Sequence, residues 1–97
     1  MSLKRGLWLS LIDEGGEATL VACDVLERND SHWRLEALVP PQVYPVTFVA
    51  ARLRLDGHFL GLIRLPEPQT TVTHEPMFLT IDFPVDPTRF AALERAS

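Results

Sequence analysis

One cysteine, Cys23, stands in 97 residues. It can form no intramolecular disulfide and belongs to no Cys-x-x-Cys metal knuckle, which suits a reducing compartment. Long apolar runs are missing as well, and no window approaches the ~20 apolar residues of a membrane-spanning helix. The N-terminal stretch "MSLKRGLWLSLIDEG" places Lys4-Arg5 before Leu7–Ile12, but Ser10 interrupts the short apolar run and no small-residue cleavage site follows. A cytoplasmic chain without membrane insertion is expected. Positive charge is scarce: 9 Lys and Arg stand against 13 Asp and Glu, a formal net charge of -4. That balance argues against the dense basic face that duplex binding needs, so DNA is not an expected partner. No phosphate-binding GxGxxG or Walker pattern surrounds Gly15-Gly16, and no GxSxG nucleophile motif occurs.

What remains is enough to fold. With 46% hydrophobic and 23% charged residues the chain reads as an ordinary globular one. Its length suits one domain, residues 1–97, with a single core.

The clearest local signal is "TFVAARLRLDGHFLGLIRLP", residues 47–66. Asp56-Gly57 between two β-prone runs marks a type I′ hairpin, whose two central residues need positive φ. A two-residue loop pairs Leu55 with His58, Leu53 with Leu60 and Ala51 with Leu62. It sends Val49, Ala51, Leu53, Leu60 and Leu62 to the core and leaves Arg52, Arg54 and Phe59 opposite. Pro66 and Pro68 are expected to end the second strand, leaving residues 66–76 as a loop.

An earlier hairpin joins "EATLVACDVLE" to "HWRLEALVP" through Asn29-Asp30-Ser31. A three-residue loop sets Val25 opposite Leu35, Cys23 opposite Ala37, Val21 opposite Val39 and Glu27 opposite Trp33. The same register brings the like charges of Asp24 and Glu36 together. Leu7–Asp13 reads as a first strand, with Trp8 and Ile12 on its less buried side, ended by the Glu14-Gly15-Gly16 turn. Met77–Phe83 alternates as a sixth strand. After it, Asp86 as N-cap and Pro87 at the first helical position open a short helix with Phe90 and Leu93 on its packing face. The expected fold is mainly β: a six-stranded antiparallel small barrel with a short C-terminal helix.

This order of elements resembles the PilZ domain, most specifically over residues 77–96, where "FLTIDFPVDPTRFAALERA" looks like that family's closing strand and helix. The resemblance implies a PilZ-like barrel and directs attention to two cyclic di-GMP motifs. For RxxxR the chain offers Arg5, with Leu9 at the second arginine position. For [DN]xSxxG it offers Asn29 and Ser31, with Arg34 at the glycine position, where a long side chain obstructs close approach of a ligand to backbone. The resemblance therefore implies a module with degenerate ligand motifs, acting in regulation through a protein partner or as a homodimer. The alternative is a cyclic di-GMP receptor using Arg5, Asn29, Ser31 and Arg34.

A third alternative is a small enzyme built on His74-Glu75 or His32. His32, His58 and His74 sit at no recognised ligand spacing, so no metal or other cofactor is expected. Trp33 reads as core or barrel rim, and Cys23 as a buried, inert thiol. The expected interaction face is Arg52, Arg54 and Phe59, since arginine and aromatics are enriched where interfaces bind hardest. The expected activity is non-catalytic.

Overall fold

The computed structural model describes residues 6–29 and 31–84. They form β1 (Leu7–Asp13), β2 (Ala18–Arg28), β3 (His32–Val39), β4 (Thr47–Leu55), β5 (His58–Thr70) and β6 (Met77–Pro84). All ladders are antiparallel, in the order β5-β4-β1-β2-β3-β6. Arg5 and the helix expected from Asp86 onward lie outside the described residues.

β1 sits centrally because its alternation lets both neighbours share one core. Leu9 faces Val21 of β2 and Leu53 of β4, while Leu11 faces Thr19 and Ala51. Beyond Ala22, β2 leaves β1 and pairs with β3 instead, so the sheet folds across β2. The front half holds β5, β4, β1 and the start of β2; the back half holds the rest of β2, β3 and β6. Leu9, Leu11, Phe48 and Leu53 from the front meet Trp33, Leu35, Ala37, Val39 and Phe83 from the back in one buried cluster. Among the described residues no ladder joins β5 to β6, yet a Cβ added at Gly61 would lie only 2.8 Å from the Phe83 ring. The barrel is nearly closed at that point.

The β4–β5 turn has the dihedrals its sequence demands, with φ of 50° at Asp56 and 85° at Gly57. Its first two pairs, Leu55–His58 and Arg54–Phe59, form as expected. A bulge then shifts the register, so that Leu53 faces Gly61 and Arg52 faces Leu62. Leu60 stays in the core, but Leu62 emerges on the outer surface, 57% exposed. Val49 is likewise only half-buried, whereas its neighbour Phe48 is fully buried. One inserted residue swaps every side chain beyond it to the other face, and turn chemistry sets only the pairs next to the turn.

Nor do the prolines end β5. Ala50 pairs with Arg64 and Phe48 with Gln69, so the four residues 65–68 stand opposite Val49 alone, with Leu65 still buried in the core. Proline donates no ladder hydrogen bond, and inside a wide bulge on an edge strand none is required.

In the β2–β3 hairpin the pairs Cys23–Ala37, Asp24–Glu36 and Val25–Leu35 are those expected, but a bulge at Leu26 moves Glu27 opposite Arg34 and Arg28 opposite Trp33. Val25 overhangs the part of the core that β1 covers and is 41% exposed. β6 alternates as expected: Leu79, Ile81 and Phe83 are buried, and Phe78, Thr80 and Asp82 face out.

Candidate functional site

The residues singled out from the sequence fall largely on two surfaces. The first is the β2–β3 turn. Asn29 donates its backbone N–H to the His32 carbonyl at 3.0 Å. Its side-chain Oδ1 accepts from the amides of Ser31 at 3.0 Å and His32 at 2.7 Å. The Ser31 hydroxyl lies 3.0 Å from His32 Nδ1. These polar atoms thus build an Asx-type turn. Asn29→Ala is expected to cost about 1 kcal/mol by orphaning two turn amides. Urea unfolding will register it as a lower midpoint at unchanged slope, with Asn29→Asp close to wild type.

Arg34 follows the turn on the outer surface. Its Nε donates to Asp82 Oδ1 at 3.0 Å, and its Nη1 lies 3.6 Å from Glu27 Oε2. The hydrogen bond and charge of Asp82, then the charge of Glu27, push this guanidinium above the ordinary arginine value. A depression of about 310 Å³ is lined by Glu27, Asn29, His32, Arg34 and Asp82. Two carboxylates on one guanidinium make this a neutral-to-acidic site, poorly suited to a phosphate diester. Trp33 is buried, with the Arg28 guanidinium 4.6 Å from its ring centroid.

The remaining candidates are dispersed. His58 opens β5 and is exposed; His74, with φ of 66°, donates its amide to the Gln42 carbonyl at 2.8 Å in an exposed turn with Glu75. Among the described residues, no group of three or more His, Cys, Asp or Glu is placed to hold a metal ion. Burial, then the charge of Asp24, pushes the Cys23 thiol up to about 11, which leaves it a poor nucleophile near neutral pH. No helix of the described residues is long and apolar enough to cross a membrane.

The second surface is the outer side of the front half. Cross-strand pairing sets Ala22, Trp8, Arg54 and Phe59 in one row. Leu20, Ser10, Arg52 and Leu62 form the next, and Ala18, Ile12, Ala50 and Arg64 a third. Leu20, Phe59 and Leu62 are 41%, 42% and 57% exposed. Arg54 Nη1 donates to the Gly57 carbonyl at 3.1 Å, which steadies it beside the turn. The Nε of Arg52 is buried without a hydrogen-bond partner. No aspartate or glutamate interrupts the three rows. The structure thus places Arg52, Arg54 and Phe59 on one continuous surface, apart from Asn29, Ser31 and Arg34. Leu20 and Leu62 join that surface without a sequence signal of their own, Leu62 because of the bulge at Leu60-Gly61.

No family model, curated protein or solved structure matches this chain.

Proposed function

We propose that this barrel is a non-catalytic regulatory module that binds protein through the outer face of its front half, with Arg52, Arg54 and Phe59 at the centre. One observation carries the reading: in a chain of net charge -4, three cross-strand rows expose arginine and large apolar side chains with no acid among them. Desolvated arginines beside aromatic and aliphatic surface are the composition of binding hot spots.

The reading keeps the resemblance to PilZ domains at the level of a small barrel with degenerate ligand motifs. Asn29 and Ser31 serve their own turn, and Arg34 is held between Asp82 and Glu27. Those contacts favour a protein ligand over cyclic di-GMP.

The test is affinity capture from the source cells with wild type and with Arg52→Gln/Arg54→Gln, alongside calorimetric titration with cyclic di-GMP. A protein held by wild type and lost by the folded double variant, with no nucleotide heat, is expected. Saturable nucleotide heat that survives the double variant would replace this reading with the receptor one.

A further inference from the structure

The outer surface of the back half has the opposite electrostatic character. There Asp24, Glu36 and Thr80 form one row, with the Leu38–Phe78 pair beside it and Glu27, Arg34 and Asp82 on its other side. Arg34 pairs with Glu27 and Asp82, and no ion pair joins it to Asp24 or Glu36 among the described residues. Those two carboxylates sit directly opposite each other on adjacent strands, and neither makes an ion pair among the described residues. Like charges directly opposed across a ladder are unfavourable, so this pair gains more than an isolated acid would from an incoming cation. Next to it, Leu38 is 47% and Phe78 64% exposed.

The front surface supplies what the back one lacks. Arg52, Arg54 and Arg64 form no ion pairs among the described residues, and they lie beside exposed Leu20, Phe59 and Leu62. Both halves turn their inner sides to one core, so these outer surfaces point away from each other. A single chain cannot bring them together.

We propose that the occupant of the front face is a second copy of this chain, docked front to back. In that arrangement the arginines of one copy meet Asp24 and Glu36 of the next, and Leu20 and Leu62 pack on Leu38 and Phe78. The proposal rests on the interaction-face reading above and names its partner. Charge decides the geometry. A two-fold pairing of front faces sets arginine against arginine, and one of back faces sets carboxylate against carboxylate; only front on back is complementary. Such a contact is heterologous, so each docked pair leaves one free front and one free back, and association continues unless a ring closes.

Sedimentation of the whole chain tests this. The weight-average mass should rise above the 10.9 kDa of one chain as concentration increases. The apparent dissociation constant should weaken by roughly tenfold between about 0.05 and about 0.5 M sodium chloride. Arg52→Gln/Arg54→Gln breaks only the front, and Asp24→Asn/Glu36→Gln only the back. Each variant alone should sediment as a monomer with unchanged circular dichroism. An equimolar mixture of the two should give a dimer and nothing larger, because one intact front meets one intact back and growth stops there.

Wild type that stays monomeric up to about millimolar concentration overturns the proposal. So does self-association that both variants retain, and so does a mixture that never dimerises. If wild type is monomeric yet a captured protein is still lost on Arg52→Gln/Arg54→Gln, self-docking fails while the interaction face stands. If that captured protein is also retained, both readings fall.

Discussion

Phe83→Ala is expected to remove about 3–5 kcal/mol from the unfolding free energy, the usual cost of deleting a buried aromatic ring. Phe83 is fully buried, faces Trp33 across the β3–β6 ladder, and meets Gly61 where β5 approaches β6. Its ring therefore fills the core and also closes the barrel where no backbone ladder does so. A domain of this length holds about 5–15 kcal/mol in total, so the substitution consumes a large share of it. At about 4–8 °C per kcal/mol, the melting temperature should fall by at least about 12 °C. Calorimetry and urea unfolding measure both quantities. A loss below about 1 kcal/mol would mean that the ring does not pack between the two halves as described.

Gly61→Ala tests the same junction from the other side. Gly61 does not have positive φ, so alanine meets no backbone objection there. Its Cβ, however, would lie 2.8 Å from Cε1 of Phe83. The ring is fully buried and has nowhere to swing, so overpacking should cost about 1–3 kcal/mol. The reduced freedom of the unfolded chain opposes this with about 0.4–1 kcal/mol. A net loss of about 1–2 kcal/mol is expected. In a Phe83→Leu background the methyl group finds room, and the loss should shrink by at least about 0.5 kcal/mol, a coupling that a double-mutant cycle reads directly. Equal losses in both backgrounds would place the strain elsewhere.

The contrast between Leu60 and Leu62 shows how far the sequence reaches. Alternation and the Asp56-Gly57 turn reveal that two strands meet and which residues pair beside the turn. They carry no mark of the bulge two residues on, because a bulge is chosen by what must fit: Gly61, having no side chain, lets Phe83 come close. Leu26 tells the same story in β2. Pairing up to Val25 follows from the apolar pattern, while the bulge beyond it reflects an overhang that only the assembled barrel creates. Pro66 and Pro68 misled in the opposite direction, since a residue that cannot donate is excluded from ladders but not from excursions between them.

For the candidate surface, the local part was readable and the global part was not. Arg52, Arg54 and Phe59 share a face by simple alternation around a tight turn. That Leu20 extends that face depends on β1 lying between β2 and β4, an ordering that no residue pattern encodes. The segregation of charge between front and back likewise emerges only when β2 divides its length between the two halves.

That wide proline-bearing bulge in β5 has a consequence for how copies of the barrel can accumulate. β5 is one of two strands at the open margins of the sheet, and a margin with a full row of free amides invites foreign strands to zip on in register. Residues 65–68 break that row: two of the four positions carry no amide hydrogen, and the backbone there runs off the line a cross-β template needs. Strand addition along that part of the margin is therefore disfavoured. Copies docked front to back, as proposed above, would then meet no in-register template for edge-to-edge fusion along residues 65–68.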